Sequence, residues 1–567
     1  MHIEFVPNRG STPTILLRES YREGEKVKKR TLANLSHLPR DQVQAMRAIL
    51  RGESWGPLTE RFTVVRSQAQ GHVEAVASMM KRLGLDTLIA SRPSRHREIV
   101  LALIAARILD PQTKLATTRS WHTTTLAEDF GVTDVSEDDC YAAMDWLLIR
   151  QDRIQTKLAA RHLKADGLVL YDLSSSYFEG TTCPLAQRGY SRDGRRGSLQ
   201  VNYGLLTDDR GCPVAVTVHE GNTADPATFL PEVERVKNDF GISRFVMVGD
   251  RGMIGSQAID ALRAQGGIGW IAALKSASIR ALVEDQSLQP DLFDETNLCE
   301  MTHPDYPGER LIACRNPQLA RLRAHKREDL LQATETQLVK IQERIGAGRL
   351  KGQDSIGLAV GRIINRYRMA KHFTLTITDT RFAFARKEAA IAAEAALDGI
   401  YIIRTSVHPE RLDAASCVRH YKSLSQVERA FRSMKTMDLK IRPIHHRLAD
   451  RVRVHIFLCV LAYYVEWHLK EAWRTLLFAD EDQAARATRD PVAPAQRSAG
   501  AKAKAARKRH EDGTLVHSFQ TLLADLGTIV RNTCRTSAED DAPTFSVTTQ
   551  PTPLQQRAQA LISGLAV

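Results

Sequence analysis

The chain has 567 residues, 43% of them hydrophobic, so it is too long for one core and apolar enough to bury several; about three to four domains are expected. Its 79 basic and 66 acidic side chains leave a net charge of +13, which favours a polyanionic partner over an acidic or neutral one. The 8 cysteines are scattered with no Cys-x-x-Cys pair, which excludes a zinc ribbon or a disulfide framework and suits a reducing cytoplasm.

In chain order, MHIEFVPNRGSTPTILL lacks the basic-then-apolar pattern of a signal peptide. Residues 1–60 form a β-hairpin region, with two short strands within 13–31 around the turn Glu23-Gly24-Glu25. Alternation puts Lys26, Lys28 and Arg30 on one face of the second strand, a cluster suited to gripping phosphates. From 61 to 165 apolar stripes at helical spacing, as in HVEAVASMMKRLGL and HREIVLALIAARILD, predict a helical domain. Ser136 caps a helix whose first turn holds Glu137, Asp138 and Asp139, and one helix is expected to run on through MDWLLIRQDRIQTKLAARHL. A compact helical unit here suits DNA ends. Trp121 reads as core and His122 as surface.

Residues 166–275 switch to strands. GLVLYD, ending at Asp172, and RFVMVGD, ending at Asp250, are apolar, β-branched runs that read as buried strands. SLQVNYGLLTDDRGCPVAVTVHEG reads as a hairpin turning at Asp208-Asp209-Arg210-Gly211, SQAIDALRAQ as a helix and GWIAAL as a further strand. Periodicity alone says α/β with a mixed sheet. Ser174, Ser175 and Ser176 read as turn formers, because no nucleophile-elbow motif accompanies them. Gly252 reads as the residue that lets the chain turn sharply after Asp250.

Residues 276–396 break the alternation and read as an α+β insertion. LARLRAHKREDLLQATETQLVKIQERI predicts an amphipathic helix with Leu331, Leu338 and Ile345 at heptad spacing, and RYRMAKHFTLTITDTRFAFARK alternates like strands. Residues 397–479 resume with the strand DGIYIIRTS and the helix HYKSLSQVERAFRSMK, which carries Glu428. The next segment, RVRVHIFLCVLAYYVEWHLKEAW, is apolar on nearly all sides and is expected beneath the sheet. Its fully apolar run, Ile456 to Val465, is about half of the roughly 20 residues that span a bilayer, so no membrane partner is expected. His445 and His446 read as surface or phosphate contacts. Residues 480–567 begin as an Ala-, Arg-, Lys- and Pro-rich basic linker, AGAKAKAARKRH, and end in a helical region.

Residues seven apart on a helix differ in direction by about 20°. Tyr421, Glu428 and Lys435 therefore share a stripe with Arg432 beside it, while Val427, Ala430, Phe431 and Met434 face the core. Read plainly, Glu428 and Arg432 make an ordinary helical ion pair, and a strand-ending aspartate is a turn former. Taken together, Asp172, Asp250 and Glu428 suit hard divalent cations, which prefer oxygen ligands and serve in-line phosphoryl transfer as a closely spaced pair.

These segments resemble the bacterial insertion-sequence transposases of the Asp-Asp-Glu (DDE) class, in the branch with a long insertion before the glutamate. That branch has a helix signature of Tyr, two residues, Arg, three residues, Glu, six residues, Lys. Tyr421, Glu428 and Lys435 fit it; the Arg position holds Leu424, with Arg429 and Arg432 nearby. The resemblance is best over about 165–475 and implies a ribonuclease H-like mixed sheet. It implies that Asp172, Asp250 and Glu428 are catalytic ligands of two Mg²⁺, with Mn²⁺ as a substitute, and that Tyr421, Arg432, Lys435 and Arg251 contact DNA phosphates. The implied reaction is cleavage at terminal inverted repeats and strand transfer into target DNA by a homodimer in the bacterial cytoplasm. The alternatives are a ribonuclease H-like nuclease without strand transfer and a domesticated DNA-binding protein with an inactive site. A tyrosine recombinase does not fit the strands of 166–275. The three carboxyl groups should converge at the sheet end, with Glu179, Asp208, Asp260 and Glu410 outside.

Overall fold

The computed structural model of the protein describes residues 1–52, 62–289, 293–484, 488–536 and 543–565. The chain opens with strands β1 (His2–Asn8), β2 (Ser11–Glu23) and β3 (Lys26–Asn34), which form a three-stranded antiparallel sheet backed by helix α1 (Arg40–Leu50). The expected hairpin thus gains a strand at its front. Its cations are largely engaged, since Glu4 pairs with Arg18 and Lys29, and Glu19 with Arg30.

Strand β4 (Thr63–Ala69) leads into helices α2 (Gly71–Arg82), α3 (Leu85–Ile89), α4 (Arg95–Leu109), α5 (Lys114–Ser120), α6 (Leu126–Asp129), α7 (Glu137–Leu148) and α8 (Gln151–His162). Ser136 caps α7 in a reciprocal capping box with Asp139. The single long helix expected after it is two, because the chain breaks at Ile149-Arg150. Trp121 is buried, as expected for core.

The central part holds β5 (Leu168–Tyr177), β6 (Gln187–Arg188), β7 (Leu199–Thr207), β8 (Pro213–Glu220), α9 (Asp225–Asn238), β9 (Phe245–Val248), α10 (Ser256–Gln265) and β10 (Ile268–Ala273). Along β8-β7-β5-β9-β10, β5 runs antiparallel to β7 and parallel to β9, and β9 runs parallel to β10. That is the ribonuclease H-like order. The serines expected to turn the chain instead continue β5, all three buried.

The insertion does not stand apart from this sheet. After α11 (Ser276–Glu284), strands β11 (Leu298–Met301) and β12 (Arg310–Arg315) extend it. Then α12 (Pro317–Gly346) and α13 (Gln353–Tyr367) pack on the hairpin β13 (Phe373–Ile377) and β14 (Phe382–Arg386) around their own core, which includes Leu331 and Leu338. Helix α14 (Glu388–Ala395) returns the chain to β15 (Ile400–Thr405), which inserts antiparallel between β12 and β10.

Helices α15 (Ala414–Lys422) and α16 (Leu424–Arg432) follow, then one π-helical turn over Ser433–Met437, and α17 (Ala449–Ala472). Helix α17 is apolar all round because it is surrounded: α2, α4 and α7 pack on it together with β8. It is long and apolar enough to cross a membrane, yet 89% of its apolar window is buried inside the protein. The early helices therefore share one continuous core with the sheet. Residues expected as a basic linker form a helix, Ala499–Arg507, because Ala501 is buried and Lys504 docks on Glu481. A helix at Phe519–Leu526, strands β16 (Val530–Arg535) and β17 (Thr544–Thr548), and a helix at Pro553–Gly564 complete the fold. Strand β16 pairs with both β17 and β4, joining the two ends of the chain.

Candidate active site

The parallel pairing of β5 with β9 sets Leu170 opposite Val248. Asp172 lies two residues further along β5 and Asp250 two residues beyond the end of β9, so both leave the same end of adjacent strands, whose spacing is about 4.8 Å. Asp172 is the partly exposed residue in an otherwise buried stretch of β5, and the Leu173 amide donates to its Oδ1 at 2.8 Å. Asp250 opens the turn after β9, where its carbonyl accepts from the Met253 amide at 3.0 Å. Gly252 is not in the left-handed region, and a Cβ there would make only ordinary contacts at 3.8 Å with Asp225 and Asp250 oxygens. The chain does turn after Asp250, as expected, but the turn does not draw on glycine's special backbone freedom.

Helix α16 lies across β5. Val427, Ala430 and Phe431 face inward, with the Phe431 ring edge-on to Tyr203 at 5.7 Å between centroids, and Glu428, next to Val427, is exposed at the flank of that face. Leu424 is buried with the apolar face, an environment that suits leucine rather than arginine.

The electrostatics tie the three carboxylates together. Burial pushes the Asp172 carboxyl up to about 7, with the charges of Asp250 and Glu428 adding to the rise and Arg192 opposing it. None of the three carboxylates has an ion-pair partner among the described residues. Uncompensated oxygen donors from the ends of two neighbouring central strands and from a helix fit a hard divalent cation.

The remaining expected site residues separate. The Tyr421 hydroxyl donates to Asp250 Oδ1 at 3.2 Å, and burial first, then Asp250, raises the phenol pKa. Arg251 and Arg432 are exposed. Lys435 is placed differently, because the π-helical turn after Arg432 breaks the stripe. It is buried and donates to Asp193 Oδ1 at 2.8 Å. Burial alone would raise the Asp193 carboxyl, but Lys435 and Arg442 together hold it below its ordinary value. His446 is not a surface group either; it packs 5.0 Å from His455, and burial lowers it to about 3. The other acids are engaged elsewhere: Glu179 near His445, Asp208 with Arg210, Asp260 with Arg263 and Glu410 near His408.

Sequence reading missed the loop between β6 and β7. Asp193 accepts from the Tyr177 amide at 3.0 Å, and the Arg192 amide donates to Ser175 Oγ at 3.0 Å, so the loop is moored to β5. Its Arg192 guanidinium pairs with Asp225, whose Oδ2 lies beside the Asp250 turn. The run Tyr190-Ser191-Arg192-Asp193-Gly194-Arg195-Arg196 was the available signal, and Tyr190, Arg195 and Arg196 are exposed there.

The sheet has the ribonuclease H-like strand order. A family described as "Transposase DDE domain" matches residues 165–465, more than half of the chain, and "IS1634 family transposase, N-terminal domain" matches residues 3–56. The chain belongs to the DDE transposases of bacterial insertion sequences. It is an enzyme acting on DNA and dependent on a divalent metal ion. No curated protein matches it. Two solved structures align loosely. A piggyBac transposase synaptic complex with hairpin DNA is 9% identical at a TM-score of 0.36, over 80% of this chain and 77% of that one. A Mos1 transposase paired-end complex with left transposon end is 13% identical at 0.14, over 34% of this chain and 62% of that one.

Proposed function

We propose that Asp172, Asp250 and Glu428 are the catalytic carboxylates and hold two Mg²⁺, for which Mn²⁺ can substitute. The observation that carries this reading is the juxtaposition of Asp172 and Asp250 at the same end of paired strands, with Glu428 near enough for its charge to raise the Asp172 carboxyl. When bound, such ions activate the attacking oxygen and stabilise the leaving one in an in-line displacement. The protein's own groups position the site. The Leu173 amide orients Asp172, the Tyr421 hydroxyl orients Asp250, and the apolar face of α16 holds Glu428 over the sheet. Exposed Arg251 and Arg432, with Arg195 and Arg196 on the moored loop, supply cations for the phosphate backbone, and Tyr190 offers a face for stacking.

The substrates are the terminal inverted repeats of the element and a target duplex, engaged by a homodimer in the cytoplasm. Water first displaces the 3′ oxygen from the phosphate at the transposon end. The freed 3′-OH then attacks a target phosphodiester, and no covalent enzyme intermediate forms. Asp250→Asn and Glu428→Gln should bind end-containing DNA like the wild type yet cleave and join it more slowly by orders of magnitude. Cleavage at the wild-type rate by either purified variant sinks the assignment.

A further inference from the structure

A second set of donors lies away from the carboxylates, where α8, the turn into β8 and α17 meet. His162 ends α8, Cys212 lies in the turn and His468 is on α17. One ligand atom from each, an imidazole nitrogen or the thiol sulfur, lies within 4.8 Å of the other two. Cys212 and His468 are buried and His162 is half-buried, which leaves an approach from the α8 side.

The hydrogen bonds around the group leave lone pairs on His468 and Cys212 available. His468 Nδ1 donates to the Tyr464 carbonyl at 2.8 Å, which fixes the tautomer and puts the lone pair on Nε2. A backbone carbonyl holding the far ring nitrogen is how metal-ligating imidazoles are oriented. His162 Nε2 lies 3.0 Å from the Tyr464 hydroxyl, which steadies that ring. The Cys212 amide donates to Asp208 Oδ1 at 2.9 Å and pins the turn. Its thiol makes no hydrogen bond among the described residues. Neighbouring charges are already satisfied: Arg210 by Asp208, Glu471 by Arg474 and Arg161 by the Leu83 carbonyl.

Two imidazoles and a thiol, with no carboxylate among them, suit a borderline ion rather than the oxygen-seeking Mg²⁺. We propose that His162, Cys212 and His468 bind one Zn²⁺, distinct from the catalytic metal, that fastens the helical layer to the sheet. The thiol loses its proton to solvent as the Zn–S bond forms. Three protein ligands leave the fourth position to water.

The test uses the full-length, tag-free protein, loaded with zinc and desalted. Elemental analysis should find about one zinc per chain, and loading with Co²⁺ should produce a thiolate-to-cobalt charge-transfer band in the near ultraviolet. Cys212→Ser should lose the band and the zinc, whereas Asp172→Asn should keep both. Chelation should lower the melting temperature of the wild type but not of His468→Gln, because only an ion bound to the folded state stabilises it. The wild type decides the matter even if the variants fail to fold. Sub-stoichiometric zinc with no charge-transfer band overturns the proposal, and so does full zinc retention by Cys212→Ser.

Discussion

Replacing Asp172 by Asn removes one charge from the carboxylate cluster while keeping an oxygen to accept from the Leu173 amide. In the metal-free protein burial, and then Asp250 and Glu428, hold the Asp172 carboxyl at about 7 rather than its ordinary 3.8. A group whose pKa is raised by folding contributes stability that is fully present below its unfolded pKa and lost as pH rises through the folded value. The wild type should therefore lose stability between about pH 4 and pH 7 through this one residue. A shift of roughly three units caps the loss at about 4 kcal/mol. Because Asp172 is partly exposed, solvent screening brings the expectation to about 2 kcal/mol. Asparagine does not titrate. In EDTA, Asp172→Asn should thus be more stable than the wild type by about 2 kcal/mol at pH 8, with a smaller gain at pH 5. Urea denaturation followed by tryptophan fluorescence at both pH values measures this. A variant less stable than the wild type at pH 8, or a gain that ignores pH, refutes the reasoning. The same substitution should abolish cleavage, the exchange of stability for function expected where like charges are gathered for catalysis.

Three further outcomes follow. Phe431→Ala removes the ring packed on Tyr203 and should destabilise the protein by about 3–5 kcal/mol in denaturant, whereas Phe431→Leu should cost less than about 2. Asp193→Asn leaves Lys435 and Arg442 without their shared buried carboxylate and should cost about 3 kcal/mol. Lys435→Met should leave the salt dependence of DNA binding unchanged, because Lys435 serves Asp193 and not a phosphate. Wild-type affinity should fall with salt at a log–log slope of about −0.9 per phosphate neutralised, and Arg432→Ala should shallow that slope by about 1 if it meets the backbone.

The strands carrying Asp172 and Asp250 were legible because both faces of each are covered, so they read as unbroken apolar runs. Helix α17 was legible for the same reason, its apolarity extending all round. What escaped reading depends on partners distant in sequence. Strand β4 is mostly exposed and alternates weakly, and only β16 gives it a place. Helix α9 carries Pro231 in its interior, which argues locally against a helix, although Pro226 sits in the first turn where proline is accommodated. The 499–507 helix has ordinary alanine propensity, but its charges mimic a solvated linker until Lys504 meets Glu481. At the site, residue types alone did not single out three of 66 acids; the signature spacing pointed to Glu428, and the family resemblance to Asp172 and Asp250 at the ends of their apolar runs. The loop holding Arg192 and Asp193 had no such spacing, and its mooring appears only once β5 is folded beside it.

The pairing of β4 with β16 also sets a clock. These strands lie about 460 residues apart, so at 5–20 residues per second a growing chain waits roughly 20 to 90 s between making one and making the other. Through most of that interval, until α17 is made, α2, α4 and α7 expose the surfaces destined for it, and the Trp473 indole then waits 85 residues more for the Ala558 carbonyl it will donate to. A polypeptide released early would leave the ribosome with an open strand edge and uncovered apolar helices, the features that invite aggregation and proteolysis.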